Sequence, residues 1–289
     1  MIFDYFKALP QYLLPQHLLS KGMHYITRIE STTFKNTLIK AIIHKYKVDM
    51  GAALVSEPTA YANFNQFFTR ALKANARPIS MKKNTVISPV DGTVSQCGDI
   101  IDGRIFQAKN RLFSVEELLG GSSERAAPFH KGQFTTIYLS PKDYHRIHCP
   151  LDAELIEVIH IPGQLFSVNP ATTHVIPKLF ARNERLAAIF QTEIGKMAVV
   201  MVGAIFVSSI ETTWAGVINT PRQQQIRTWF YGTESDKEYQ VNRGGEIGRF
   251  NMGSTVILLF EANKIAWNLT MKPRLNLKMG EPVASITHP

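Results

Sequence analysis

Apolar residues recur at helical spacing in two stretches near the start of the chain. The first stretch carries the apolar residues Leu13-Leu14, Leu18-Leu19, Met23, Tyr25-Ile26 and Ile29. The second opens at Ser31-Thr32-Thr33, residue types that favour helix N-caps, and runs to about Lys47. Its apolar stripe is Phe34, Leu38, Ile39, Ile42 and Ile43, with Lys35, Lys40, Lys45 and Lys47 set beside it. The pattern predicts amphipathic helices within residues 10–47.

From about Thr85 the apolar residues fall into short runs separated by Gly, Pro and Asn, a pattern typical of strands. Helices do not alternate regularly with these runs, which argues against a doubly wound parallel sheet. The predicted fold class is α+β, with a mainly antiparallel, sandwich- or barrel-like sheet body (61–289) behind N-terminal amphipathic helices (1–60). The predicted strands lie at Val86-Ile87, Thr93-Val94, Thr135–Leu139, Leu155–Ile161, Met197–Ser209, Thr255–Phe260 and Ile265–Leu269.

Charge adds an expectation about partners. The 289 residues include 32 basic and 23 acidic side chains, a net charge of +9, which favours an anionic partner such as nucleic acid or a lipid surface. A basic amphipathic helix can lie in a membrane interface, but the same helices can equally pack on the body of the protein. The longest apolar run, Ala198–Val207, is too short to span a membrane, and residues 1–15 lack a secretory signal.

A glycine-rich segment precedes the Thr255–Phe260 run. Gly248 and Gly253 have the spacing of a phosphate loop, but Ser254 stands where that loop needs lysine, and a strand follows instead of a helix. A nucleophile elbow is also excluded, because Met252 occupies the position of its first glycine. The segment therefore offers a serine after glycine on a turn.

Titratable residues crowd a second segment, from Pro141 to Pro150. His145, His148 and Cys149 lack the second ligand cluster of a metal site, and two cysteines cannot build a disulfide framework. Catalysis and a hydrogen-bonded core remain equal alternatives for this segment alone. A third segment carries Asp91 at an Asp-Gly turn. Aspartate, histidine and serine can together form a nucleophile triad without any fixed spacing, which singles out Asp91, His148 and Ser254.

These segments resemble the three signatures of phosphatidylserine decarboxylases. The signature matches are Ser88–Val94, Tyr144–His148 and Gly253-Ser254-Thr255; supporting matches are Phe64–Arg70, Arg77-Pro78-Ile79, Gly163–Pro170 and Lys278–Glu281. The matches run in the family's order from about residue 60 to the end. One departure is Met252, where the family's cleavage motif usually has leucine, a residue of similar volume and apolarity.

The resemblance implies a precursor that cuts itself between Gly253 and Ser254 into residues 1–253 and 254–289. Asp91 would orient His148, His148 would deprotonate Ser254, and the serine oxygen would attack the Gly253 carbonyl. Ser254 would end as a covalent pyruvoyl group, the cofactor that forms a Schiff base with the substrate amine. His145 would then supply the proton for decarboxylation.

The same resemblance implies phosphatidylserine and an anionic membrane surface as partners, with no nucleic acid and no metal. Residues 1–60 would dock on the cytoplasmic face of a bacterial inner membrane as a peripheral protein. The two fragments would stay associated, and homodimer formation is left open. Rival interpretations are a related pyruvoyl enzyme for a free amino acid, a non-catalytic lipid-binding protein and, more weakly, a serine hydrolase.

Overall fold

A computed structural model describes residues 2–108, 110–205, 209–218, 225–232, 238–252 and 254–287. Gly253, half of the predicted cleavage site, lies outside the described residues, as do residues 206–208 of the predicted Met197–Ser209 strand.

The helices are concentrated at the N-terminus, and none in the described part of the chain is long and apolar enough to cross a membrane. Short 3₁₀ turns occupy Leu9–Tyr12, Pro58–Ala60 and Ala127–Phe129. The α-helices are α1 Ile2–Ala8, α2 Gln16–Ile26, α3 Thr32–Tyr46, α4 Phe64–Phe68, α5 Val115–Leu118, α6 Ser123–Ala126, α7 Pro170–Val175 and α8 Leu179–Arg182.

The rest of the described chain is built on antiparallel strand pairs. The strands are β1 Thr85–Ile87, β2 Gly92–Asp99, β3 Arg104–Ala108, β4 Arg111–Ser114, β5 Gln133–Leu139, β6 Arg146–His148, β7 Ala153–Ile161, β8 Arg185–Thr192, β9 Gly195–Val202, β10 Ile210–Thr212, β11 Gly216–Ile218, β12 Arg227–Phe230, β13 Gln240–Val241, β14 Glu246–Phe250, β15 Ser254–Phe260, β16 Ile265–Trp267, β17 Asn276–Leu277 and β18 Pro282–Ile286.

The main sheet has the order β12-β7-β8-β9-β15-β5-β2-β17, with β13 also on β7. Strand β15 lies in its interior, between β9 and β5, and all seven of its residues are buried. A continuous run of β-branched and apolar residues is what a strand covered on both faces requires. A smaller sheet, β11-β10-β14-β6, carries the second signature segment, and β1-β18-β16 forms a third sheet.

The predicted α+β class, with antiparallel sheets and N-terminal helices, is confirmed. In the described part of the chain the sheets remain open and do not close into a barrel. Two predicted strands are too long. The prediction Met197–Ser209 is wrong at the described residues 203–205 and 209, which lie outside β9, and Ile265–Leu269 ends at Trp267. Val202 pairs with Arg185, where β8 begins, and with Thr255 of β15; Gly203 follows it, and its N–H donates to the carbonyl of Glu184 at 2.8 Å outside the strand.

Helix α3 packs on the protein through the stripe predicted to face a membrane. Ile39 is fully buried in a cluster with Phe64, Phe67 and Phe68 of α4. The prediction that Lys35 faces lipid headgroups is wrong. Lys35 is buried, and its Nζ donates to the carbonyl of Thr59 at 2.8 Å. The alternative of packing on the body therefore holds for this face of α3.

Helix α2 has the opposite arrangement, because its buried positions are polar. Gln16 and Ser20 face the body, and Gln16 Oε1 accepts the backbone N–H of Leu165 at 2.6 Å. Leucines point to solvent instead: Leu13, just before the helix, is 90% exposed and Leu18 is 68% exposed. The N-terminal region thus presents apolar side chains outward; the others are Phe6, Leu9, Leu14, Tyr25, Ile26 and Ile29.

Candidate active site

The first and third signature segments meet at one end of the main sheet. Strand β15 begins at Ser254, opposite Leu139, the last residue of β5. On the other side of β5, Thr93 of β2 pairs with Tyr138, the residue that also pairs with Thr255. Asp91 and Ser254 therefore lie at the same end of three adjacent strands, which places their backbones roughly 10 Å apart at two strand spacings.

Backbone hydrogen bonds bring in the second signature segment. The N–H of His148 donates to the carbonyl of Pro89 at 2.9 Å, and the N–H of Phe250 donates to the carbonyl of His145 at 3.0 Å. Strand β6 also pairs with β14, which leads through residues 251–253 to Ser254. The fold thus gathers the three separate segments into one site.

Gly92 of β2 permits the backbone of β2 to lie close to that of β5. A Cβ at its position would lie 2.6 Å from the carbonyl oxygen of Tyr138, a contact that no side chain can make. Glycine at residue 92 is therefore required by the crowding of β2 against β5.

His148 is held as a neutral base by two hydrogen bonds. Its Nδ1 lies 2.8 Å from the carbonyl oxygen of Gly244, which can only accept, so we assign the proton to Nδ1. The lone pair is then on Nε2, which accepts from the hydroxyl of Tyr144 at 3.1 Å. Burial lowers the pKa of His148 below its ordinary value of 6.5, which keeps the ring neutral near pH 7.

Asp91 does not hydrogen-bond to His148, contrary to the predicted triad geometry. Its buried carboxylate is paired with Arg77, whose Nε donates to Oδ1 at 2.8 Å, and it also accepts the backbone N–H of Met279 at 2.9 Å. The carbonyl of Gly244 orients His148 instead. Asp91 still acts on His148 through charge, because its carboxylate opposes the lowering of the histidine pKa.

Ser254 is fully buried, and its hydroxyl has no hydrogen-bond partner among the described residues. A buried hydroxyl without a partner is uncommon, which marks this oxygen as available for chemistry. Two residues earlier, Met252 adopts φ = 118°, a conformation that residues with a Cβ rarely take. Such strain costs on the order of 1–3 kcal/mol and lies next to the bond predicted to break.

His145 is placed differently from His148. Its ring is fully buried, stacks on Phe68 with centroids 4.0 Å apart, and makes no hydrogen bond to a described side chain; the backbone of Ser140 acts on it weakly and favours the protonated ring. Burial, and after it the nearby charge of Arg70, lowers the pKa of His145 to about 3. The ring is therefore neutral in the uncut chain.

Several neighbours had no predicted role, although most lie inside the matched motifs. Tyr144 contacts the base His148, Arg77 holds Asp91, and Asp143 accepts both the N–H and the hydroxyl of Ser140 at 2.7 Å.

Burial also changes the acidity of two of these neighbours. It raises the pKa of Tyr144 to about 12, so the hydroxyl of Tyr144 stays protonated. Cys149 joins the backbone network, and burial raises the pKa of its thiol to about 12, which makes it inert. Motif membership could have drawn attention to Tyr144 and Arg77, but only the contacts reveal what they do.

Comparison with known proteins identifies the family of this chain. The model of the family described as phosphatidylserine decarboxylase matches residues 64–285, and a second model, described as PSD, matches residues 6–47. The chain therefore belongs to the phosphatidylserine decarboxylase family, an enzyme family, as its three signature segments predict.

Several bacterial proteins are similar to this chain over most of their length and of its own. A phosphatidylserine decarboxylase proenzyme of Azotobacter vinelandii is 52% identical over 275 residues, covering 95% of this chain and 96% of the relative. Proteins of the same name from Bordetella pertussis and Stutzerimonas stutzeri are 50% and 48% identical, covering 95% and 97% of this chain and 92% and 95% of the relatives.

Proposed function

We propose that this chain is a proenzyme that cuts itself between Gly253 and Ser254 and then decarboxylates phosphatidylserine to phosphatidylethanolamine and CO₂. The observation that carries the proposal is the buried, unpartnered hydroxyl of Ser254, which lies at one strand end with Asp91 and the His148 segment. Its relatives are named as proenzymes of this activity.

Self-cleavage begins with the lone pair of His148 Nε2. Tyr144 donates to that lone pair in the uncut chain and has to release it when Ser254 is deprotonated. The serine oxygen then attacks the Gly253 carbonyl, and the peptide bond becomes an ester. Elimination of the ester leaves a carboxylate on Gly253 and a dehydroalanine at 254, which takes up water and releases ammonia to become a pyruvoyl group.

Asp91 supports this step through its charge. When His148 takes up the proton, a positive ring forms in a buried place, and the nearby carboxylate stabilises it. Arg77 and the N–H of Met279 hold that carboxylate in place through hydrogen bonds.

The residues around Ser254 fit a pyruvoyl cofactor, because Ser254 is buried and the unpartnered ring of His145 belongs to the same site. The group supplies an electron sink for the electrons left when CO₂ departs. Around it the protein excludes water, and His145 provides the proton that replaces CO₂ on the substrate carbon. Since His145 is neutral in the uncut chain, its pKa has to rise in the cut enzyme with substrate bound.

Residues 1–60 serve as the docking region in this proposal, and 61–289 as the catalytic domain. The outward leucines and aromatic residues of the α1–α2 region can enter the lipid interface, while the polar face of α2 is bound to the body. Lys40 and Lys45 of α3 and Lys47 just after it are exposed and favour anionic headgroups. Attachment at the cytoplasmic face of a bacterial inner membrane stays a prediction.

The direct test of function is release of labelled CO₂ from carboxyl-labelled phosphatidylserine in vesicles. Wild type should release it, and Ser254→Ala should not. Release from free serine alone would favour the amino-acid decarboxylase, and fatty-acid release without CO₂ would favour a hydrolase. A wild-type chain that is cut but releases no CO₂ from phosphatidylserine would overturn the proposed function.

A further inference from the structure

Arg70 is a buried cation with two open donor positions. Arg70 is the second residue after the end of α4, and it is only 4% exposed. One guanidinium nitrogen, Nη2, donates to the carbonyl of Lys142 at 3.0 Å, and the group lies 5.4 Å above the ring of Phe67. Nε and Nη1 are buried and have no hydrogen-bond partner among the described residues. Burial of a charge without partners is costly, so this arrangement requires an explanation.

A second buried arginine shows how the chain otherwise treats such a group. Arg185 is 2% exposed, and all three of its guanidinium nitrogens donate to backbone carbonyls, those of Leu118, Asn183 and Glu117. Its burial is therefore fully compensated within the fold. Arg70 has one such bond where Arg185 has three, so the described residues leave two of its guanidinium nitrogens without a partner.

Acidic side chains near Arg70 are bonded elsewhere. Asp91 and Asp143 are close enough to act on the pKa of Arg70 by charge. Asp91, however, is paired with Arg77, and Asp143 accepts from Ser140. No carboxylate of the described residues forms an ion pair with Arg70, so its charge is left for a ligand.

The open donors belong to the active site. Arg70 immediately follows the Phe64–Thr69 segment, whose Phe68 stacks on His145, and the charge of Arg70 acts on that histidine. The ring nitrogens of His145 make no hydrogen bond to a described side chain either; the backbone of Ser140 is the polar group that acts on this ring. Two neighbouring buried side chains, one of them cationic, thus keep nitrogen atoms available beside the proposed proton donor.

We propose that Arg70 binds the phosphodiester of the lipid headgroup through Nε and Nη1. The inference rests on the proposed function and names a recognition element within that same site. A guanidinium matches a phosphate oxygen pair in both charge and fork geometry. It gives the enzyme a means to prefer a phospholipid over free serine.

The substrate carries a second anion, the carboxylate, but the reaction argues against it as the partner of Arg70. Decarboxylation removes the carboxylate charge, so a cation paired with it would stabilise the substrate more than the transition state and slow the reaction. The phosphodiester keeps its charge throughout. An arginine can therefore bind it tightly without opposing the chemistry.

Binding an anion at Arg70 also changes the pKa of His145. The positive charge of Arg70 is one cause of the low pKa of that histidine. A phosphodiester that neutralises Arg70 removes this cause, and the ring can then hold the proton it must donate. Substrate binding and proton supply are coupled in this way.

Self-cleavage offers a route to the open donors of Arg70. Asn65 of α4 donates from Nδ2 to Asn251 Oδ1 at 3.0 Å, and Met252 packs against the α3–α4 cluster. These residues directly precede the predicted cut. Once the bond after Gly253 is broken, Asn251 and Met252 lie close to a new chain end, so their contacts with the α3–α4 cluster are no longer fixed from both sides.

The test compares two substrates in wild type and in Arg70→Gln. One is a short-chain phosphatidylserine; the other is an O-alkyl serine of similar chain length, which has the amine and carboxylate but no phosphodiester. Loss of a charge-assisted contact should reduce kcat/KM for phosphatidylserine on the order of 10- to 100-fold, mainly through KM. The value for O-alkyl serine should not fall, because this substrate has no phosphodiester to lose and the removed charge no longer lowers the pKa of His145. Arg70→Lys should retain part of the preference.

Arg185→Gln is the matched control, because it removes an equally buried arginine whose donors all face backbone. It should affect both substrates alike, and intact mass should first confirm that each variant is cut. An equal loss on both substrates in Arg70→Gln would overturn the inference while leaving the proposed function standing. Absence of CO₂ release by wild type would instead overturn the function.

A measurement on wild type covers the case in which Arg70 variants do not fold. Glycerophosphoethanolamine and ethanolamine are compared as inhibitors, since they differ by the phosphodiester. Glycerophosphoethanolamine should inhibit at a concentration at least tenfold lower than ethanolamine does. Equal inhibition by the two compounds would overturn the inference.

Discussion

His148 and His145 are three residues apart, yet their surroundings assign them to different steps. His148 has both nitrogens engaged and presents a lone pair toward a hydroxyl. His145 is stacked on an aromatic ring with both nitrogens open. A base that works early and a proton donor that works late have these different needs.

Replacing His148 should block maturation. His148→Ala removes the only group placed to deprotonate Ser254 in the proposed mechanism, so the precursor should remain uncut on denaturing electrophoresis. Tyr144→Phe is the matched control: it removes the donor to Nε2 but keeps the base, and it should still mature. Normal maturation of His148→Ala would refute the assignment of the base.

The pH dependence of maturation follows from the same ring. A base must be neutral to act, and the pKa of His148 is lowered from 6.5 by burial. The cleavage rate of freshly refolded precursor should therefore stay flat as pH falls through 6.5 and decline only in more acidic buffer. Asp91→Asn removes an opposing charge, so it should move this decline to still lower pH and slow cleavage throughout. A decline centred above pH 6.5 would contradict the buried neutral base.

His145→Ala should separate the two activities. The variant should still be cut, because His148 and Ser254 are intact, but it should decarboxylate about 10²- to 10⁴-fold more slowly, the usual contribution of a general acid. Intact mass and CO₂ release from one preparation provide both values. A cut variant with wild-type decarboxylation would remove His145 from the mechanism.

Among the elements, α3 and α2 show what a hydrophobic pattern can and cannot predict. The pattern located both helices well, including the end of α3 near Lys47. It could not tell what the apolar face of each helix meets, because α4 is too short to show a periodicity of its own. Ile39 turned out to be buried against α4, while the leucines around α2 face solvent.

This assignment of the α3 face predicts a difference between two substitutions. In an uncut Ser254→Ala background, Ile39→Ala should lower the free energy of unfolding by roughly 2 to 5 kcal/mol, as large-to-small changes in cores do. Phe34→Ala, on the same helix but 41% exposed, should cost much less. Denaturant titration of both variants measures this. Equal costs would show that α3 is not anchored through Ile39.

Strand prediction succeeded where one continuous apolar run makes one strand, as in β15. It failed at the end of β9, because Ala204 and Ile205 continue the apolar run although the strand has already ended before Gly203. The signature residues were predicted from sequence, but the pairing of Asp91 with Arg77 was not. That ion pair depends on where residue 77 lies in space, and spacing along the chain carries no such information.

At the scale of the whole molecule, the exposed apolar N-terminus should govern membrane binding. Leu13→Ser with Leu18→Ser should weaken flotation with vesicles at least tenfold, since burying a leucine contributes about 1.5–3 kcal/mol. Leu269→Ser is the control, because Leu269 is a fully exposed leucine of the sheet body. Unchanged flotation of the double variant would place docking elsewhere.

Charge should add a salt-dependent part to that binding. Lys40, Lys45 and Lys47 are exposed, and each lysine near an anionic surface contributes on the order of 1 kcal/mol. Changing all three to glutamate should weaken binding to anionic vesicles at low salt and leave self-cleavage intact. The difference from wild type should shrink as salt rises. A variant that floats as well as wild type at every salt concentration would exclude these lysines.

The two products of cleavage should stay together, because strands of the smaller fragment pair with strands of the larger one. Residues 254–289 contain β15, paired on both sides with strands of the larger fragment, and β18 and β17, paired with β1 and β2. The fragments should copurify through size-exclusion chromatography and separate only in denaturant. Separation under native conditions would contradict this topology.

The most direct test of the central claim is the intact mass of the purified wild-type chain beside Ser254→Ala. Wild type should yield a fragment of 36 of the 289 residues of this 32.5 kDa chain, hence roughly 4 kDa, and Ser254→Ala should yield the full chain. The two wild-type masses together should exceed the precursor by one water less one ammonia, as the serine-to-pyruvoyl conversion requires. An uncut wild type, or a sum larger by a whole water, as ordinary hydrolysis gives, would contradict the account.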